Sequence, residues 1–208
     1  MKSKITTWED ITLDQYLQIY QLVDVEGMDE MVYAELLKVV CGEEVEDLTL
    51  PEYKKMFVHL NFLQSPMPEV KAKKEYVLKG NKYQCDLDMT KITGSQYLDY
   101  SNYIKEKKGV ENFSKLISVF LIPKGHKYND GYDIDELIEL IESDMKIVDV
   151  NAISFFLQRQ YKTYIGIITA YSIRTMKKMM KKEQNPKKKE EIKLKIQETE
   201  ALLQSMVY

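Results

Sequence analysis

Apolar residues recur at three- and four-residue steps along most of this chain, and a two-residue alternation replaces that period around residues 76–86. The longest helical signal lies in residues 146–182. There Ile153, Leu157, Tyr161, Tyr164, Ile168, Tyr171 and Met179 fall on one stripe of a single helix. Phe156, Ile165, Ile167 and Ile173 widen that face beyond a coiled-coil seam, which predicts packing on more than one neighbour, inside the fold or across a subunit boundary.

Three helix starts carry one local device: Ile11-Thr12-Leu13-Asp14-Gln15-Tyr16, Leu48-Thr49-Leu50-Pro51-Glu52-Tyr53 and Ile92-Thr93-Gly94-Ser95-Gln96-Tyr97. In each, the Thr hydroxyl can accept from the N–H three residues on, while the Gln or Glu there reaches back to the Thr N–H, which is a capping box. The apolar residue before the Thr and the Tyr after the Gln or Glu also fit a hydrophobic staple. The intervals of 37 and 44 residues are unequal, so the device reads as punctuation rather than as a duplicated unit.

Between these marks the pattern predicts a helix over about 13–23, a break at 26–28, and a second helix with Met31, Leu36, Leu37 and Val40 closing at Gly42. A third runs over 50–63, blocked by Pro66 and Pro68. Residues 76–79 and 82–86 read as two short strands around Gly80-Asn81. A lone hairpin is marginal in water, so it must lie on helices or pair with another chain. Further helices are predicted over 94–107, through Phe113, Leu116, Ile117, Phe120 and Leu121 up to Pro123, and from an Asp133 cap through Ile134, Leu137, Ile138 and Ile141. Gln184-Asn185-Pro186 interrupts the long helix, and residues 187–206 can return with Ile192, Ile196, Leu202 and Leu203 on one side. The fold class is therefore mainly α: a helical bundle with one inserted β-hairpin at about 74–87 and a long C-terminal helical hairpin, with a body of 1–145 and an arm of 146–208.

A chain of 208 residues can bury one sizeable core. Its net charge of −3 decides little, but the distribution is uneven: from Arg174 to Lys195 there are ten Lys or Arg and three Glu, against twenty basic and thirty acidic residues elsewhere. Cys41 and Cys85 fall in different predicted elements, and the opening Met-Lys-Ser-Lys-Ile-Thr-Thr-Trp lacks the apolar core of a signal peptide. Reduced thiols and a cytoplasmic site of synthesis are the expectation. The longest weakly charged run, residues 163–173, is about half the roughly 20 residues a membrane span needs, so no membrane is expected.

Residues for chemistry are sparse. His59 and His126, the only histidines, lack ligand spacing from a Cys or a carboxylate pair, which predicts no metal site. The loop around Asn129-Asp130-Gly131 fails as a calcium loop: with Gly131 sixth, His126 stands first, Tyr128 third and Leu137 twelfth. There is no glycine-rich phosphate loop and no Gly-x-Ser-x-Gly elbow, so neither a cofactor nor a small-molecule substrate is expected. The pairs Glu43-Glu44 and Glu190-Glu191 sit on polar segments and read as solvated faces. No catalytic residue is assigned, and the chain is not expected to be an enzyme. The basic tract of Arg174, Lys177, Lys178, Lys181, Lys182, Lys187, Lys188 and Lys189 suits nucleic-acid phosphates, a solvated helix end or an acidic protein surface. The interleaved Met176, Met179 and Met180 favour the last.

The opening Ile5-Thr6-Thr7-Trp8-Glu9-Asp10-Ile11-Thr12-Leu13-Asp14-Gln15-Tyr16 resembles the start of small helical proteins encoded among the structural genes of tailed bacteriophages, particularly crAss-like phages. The resemblance continues through Leu36-Leu37-Lys38-Val39-Val40-Cys41-Gly42, residues 48–63, the hairpin, residues 92–97 and Phe120-Leu121-Ile122-Pro123, covering about residues 5–123. It rests on caps, staples and core positions, and it carries over no catalytic residue. It implies a virion protein of the portal vertex, neck or tail: a ring of copies of itself stacked between portal and tail proteins, with passing contact with packaged DNA. A tail-assembly chaperone absent from the mature particle is the alternative, and a DNA-binding regulator a third. For the ring, the packing residues would be Tyr161, Tyr164, Ile168, Tyr171 and Met179, with Lys177, Lys181 and Lys188 as charge partners of a neighbouring subunit.

Overall fold

The computed structural model describes residues 7–24, 30–42, 48–106 and 109–205, without the side chains at 24, 30, 111, 162, 164, 165, 167, 168 and 202–205. The expected break at 26–28, Glu43-Glu44, Lys107, Met206, and the side chains of Tyr164, Ile165, Ile167, Ile168, Leu202 and Leu203 lie outside the described residues. The chain divides into two compact units, residues 1–155 and 156–208, so the division falls inside the long helix rather than at its start.

The first unit is built from capped helices. After a 3₁₀ turn at Trp8–Asp10, α1 (Leu13–Asp24) and α2 (Glu30–Cys41) pack on each other. The first capping box forms as expected: the Thr12 N–H donates to Gln15 Oε1 at 3.0 Å and the Gln15 N–H to Thr12 Oγ1 at 3.3 Å. Gln15 Nε2 then donates to the Val39 carbonyl at 3.1 Å, so one side chain caps α1 and fastens α2. Gly42 ends α2 at φ +62°, its N–H reaching the Lys38 carbonyl at 2.8 Å; the left-handed conformation suits glycine there. In the second box, Glu52 at the start of α3 (Leu50–Met56) accepts from both the N–H and the hydroxyl of Thr49. The third helix does not run to Leu63 as an α-helix. From Phe57–Gln64 it tightens to 3₁₀, whose three-residue period aligns Phe57, Leu60 and Leu63.

The hairpin is present, one residue out of the predicted phase. Strands β1 (Glu75–Leu78) and β2 (Asn81–Cys85) pair with Leu78 opposite Asn81, which makes Lys79 and Gly80 the two loop residues. Both have positive φ, +43° and +81°, as the tight turns that match strand twist require. Tyr76, Leu78, Tyr83 and Cys85 alternate inward. A third strand joins: β3 (Leu121–Pro123) pairs antiparallel with β2, giving the order β1-β2-β3. The periodicity had placed Leu121 on a helix. That helix, α5 (Phe113–Ser118), stops earlier because the chain turns into the open edge of β2.

In chain order α4 (Gly94–Glu106) lies between β2 and α5. Its capping box repeats the first: Thr93 N–H to Gln96 Oε1 at 2.9 Å, Gln96 N–H to Thr93 Oγ1 at 3.3 Å, and Gln96 Nε2 onward to the Val119 carbonyl at 2.9 Å. Tyr100 meets Phe120 edge-on, ring centres 5.3 Å apart. Asp133 caps α6 (Ile134–Asp144) by accepting from the N–H groups of Asp135 and Glu136, and the buried Leu137 and Ile141 face inward. A short bridge then ties the chain's beginning to the start of α7 (Ile147–Lys182): Leu13 N–H donates to the Met145 carbonyl and Ile147 N–H to that of Ile11. All four residues are fully buried. In the second unit, Asn185 caps α8 (Pro186–Ser205), with Pro186 in the first position where its missing N–H costs nothing. Thr169, Ile173 and Ile196 are buried there. The molecule is thus mainly helical, with a small antiparallel sheet and a C-terminal helical hairpin.

Candidate interaction surface

Among the described residues no group of His, Cys, Asp and Glu is arranged to hold a metal ion. His126 is used locally: its Nδ1 lies 2.9 Å from the Asp130 carbonyl, and its ring meets Tyr132 edge-on, closing the loop around Gly131. Cys41 and Cys85 are buried and form no disulfide among the described residues, and burial pushes the Cys85 thiol up to about 12, with the Asp86 carboxylate adding to the shift. A thiol held protonated is a poor nucleophile. Tyr128 donates to Asp99 at 2.8 Å, and burial raises its phenol first of all, the bond to Asp99 next.

One ion pair has a carboxylate largely shielded from water and an exposed ammonium. Asp149, in the first turn of α7, is 9% exposed and meets Lys73 at 2.9 Å, where the helix dipole also favours a carboxylate. The Lys73 N–H donates to Tyr76 Oη at 2.8 Å, and burial pushes that phenol up. The segment before β1 is therefore clamped to α7. Nothing in this cluster is placed to move a proton to a ligand, and we read it as structural.

The remaining candidate is the basic end of the second unit. Residues 156–208 carry twelve Lys and Arg and five Glu, a net +7, while residues 1–155 carry eighteen basic and twenty-eight acidic residues, a net −10. Lys177 Nζ meets Glu200 at 2.8 Å and so joins α7 to α8. Lys178, Lys181, Lys182, Lys187, Lys188 and Lys189 are exposed and form no ion pair among the described residues. Tyr171 is 71% exposed and Met179 56% exposed, whereas Tyr161, Met176 and Met180 are half-buried. At about 100° per helical residue, Arg174, Lys178, Met179, Lys181 and Lys182 fall within roughly 80° of Tyr171. Ile173 lies on the other side and is buried.

Of the eight residues assigned to partner binding from the sequence, the structure brings Tyr171, Met179 and Lys181 onto this one exposed arc of α7. Lys188 is exposed on α8, and Lys177 is engaged by Glu200. Tyr164 and Ile168 lie on α7 with side chains outside the description. Sequence reasoning missed Phe155, an α7 residue 67% exposed, because a phenylalanine amid apolar neighbours gives no sign that it points outward. A shallow depression on α8, lined by Lys187, Glu190, Glu191, Lys193, Leu194 and Gln197, has walls from a single helix and is a furrow between side chains rather than an enclosed site. Among the described residues no helix is long and apolar enough to cross a membrane.

The chain matches no protein-family model, no curated protein and no solved structure.

Proposed function

We propose that this chain is a structural protein of a tailed-bacteriophage particle, which assembles with copies of itself into a ring between portal and tail and acts through surfaces rather than through a reaction. The observation that carries the reading is the arc of α7 on which Tyr171 and Met179 stand exposed beside Lys178, Lys181 and Lys182, which form no ion pair among the described residues. Large aromatic and Met side chains are enriched at protein interfaces, and here both stand exposed on one arc. The likeness of residues 5–123 to small phage structural proteins supplies the setting. A stable contact between copies buries upwards of about 1,200 Å² in total, which a long helix and its returning partner are large enough to contribute. Its location would be the virion, its neighbours portal or tail proteins, and its contact with packaged DNA transient.

Two measurements test this. Native mass spectrometry of the purified chain is expected to give a closed oligomer of more than two copies, and peptides of the chain are expected in purified particles at a ring-like copy number. A strictly monomeric chain overturns the ring. Presence in infected-cell lysate with absence from finished particles replaces the connector with an assembly chaperone.

A further inference from the structure

The two units of this chain carry opposite charge, −10 and +7, on one polypeptide. Charge of that size on separate units has a direct consequence between molecules. Two copies attract when the second unit of one approaches the first unit of the other, and repel when like units meet. On the second unit the exposed arc of α7 offers Arg174, Lys178, Lys181 and Lys182 around Tyr171. On the first unit, α6 presents Asp135, Glu136 and Glu139 on the side opposite its buried Leu137 and Ile141. These three acids are exposed and form no ion pair among the described residues.

We infer that the arc of α7 around Tyr171 is the docking face for a second copy of this chain, and that its counterpart is the acidic face of α6 on that copy. The inference rests on the ring reading above and specifies the contact that would build it. Such a contact joins two different patches, so each copy gives one and receives one. A head-to-tail contact of this kind generates a ring when the rotation between copies closes. Tyr171 and Met179 supply apolar area at the centre, and the lysines around them set orientation and the speed of association. Because charges at such a face are screened over about 8 Å at physiological salt and about 3 Å at 1 M, the contact weakens as salt rises.

Charge reversal on the full chain tests it. Lys178→Glu with Lys181→Glu is expected to weaken self-association roughly tenfold or more, and Glu136→Lys with Glu139→Lys to do the same, with circular dichroism and thermal melting confirming that both variants fold. Mixing the two variants is expected to restore assemblies in which they alternate one to one, since each reversed face then meets a reversed counterpart. The chain carrying all four substitutions is expected to self-assemble again. If both variants assemble like the unmodified chain, this contact is wrong while the ring stands. If the unmodified chain is monomeric throughout, the ring itself is wrong. If the lysine variant loses assembly, mixing does not rescue it, and the unmodified chain binds duplex DNA with steep salt dependence, the lysines serve nucleic acid and the inference is overturned.

Discussion

Cys85 shows how burial alone sets the chemistry of a side chain. Packed inward from β2, it is held protonated to about 12 against an ordinary value of 9.0. The sign of the linkage follows: below pH 9 both folded and unfolded chains hold the proton, and between 9 and 12 the unfolded chain releases it while the folded chain does not. Stability from this group is complete below pH 9 and falls as pH rises. At pH 10 the loss is about 1.4 kcal/mol, so urea midpoints measured from pH 8 to 10 should drop less in Cys85→Ala than in the unmodified chain. Native Cys85 should also react slowly with a thiol reagent at pH 8. The pair of Lys73 and Asp149 shows a different asymmetry, because one partner is wet and the other dry. Lys73→Ala leaves a nearly buried carboxylate unpaired and should cost about 1–3 kcal/mol, whereas Asp149→Asn leaves an ammonium that water can solvate and should cost less. Equilibrium urea unfolding of the two variants checks the order.

At the scale of elements, the molecule uses a side chain twice in two places. Gln15 and Gln96 each accept from a capping Thr and donate to a carbonyl 24 and 23 residues onward, at Val39 and Val119. The cap was legible in the sequence because its partners lie three residues apart. The second bond was not, since its acceptor is a backbone carbonyl with no residue signature. For Gln96, which is buried, the two roles together predict that Gln96→Ala lowers stability by about 2 kcal/mol, more than an exposed cap would. Gln96→Glu should recover only part of this, because the carboxylate keeps the acceptor and loses the donor to Val119. Chemical denaturation of both variants measures the difference. β3 was missed for a similar reason: three residues are too few to show alternation, and it is the edge of β2 that makes them a strand.

For the whole molecule, what matters is how charge is divided. A net −3 conceals units of −10 and +7, and in the second unit Lys178, Lys181, Lys182, Lys187, Lys188 and Lys189 form no ion pair among the described residues, while Lys177 meets Glu200. Lys177 is therefore a control on the proposed interface. Its ammonium already sits on Glu200, so Lys177→Ala should change self-association less than threefold while slightly loosening the α7–α8 hairpin, an exposed pair of this kind contributing about 0.2–1 kcal/mol. Analytical ultracentrifugation beside a thermal melt separates the two effects.

By itself the sequence determined the helices, their caps, the hairpin and the uneven charge, because each is written in neighbours a few residues apart: apolar spacing, a Thr with its Gln or Glu, a Gly where the backbone turns left-handed. Only the tertiary structure decided which apolar residues of α7 are covered and which stand in solvent, which lysine has a partner, where the compact units divide, and that residues 121–123 complete a sheet. Those outcomes depend on contacts between residues far apart in the chain, and a periodic stripe reads the same whether its neighbour is the protein's own core, water or another copy.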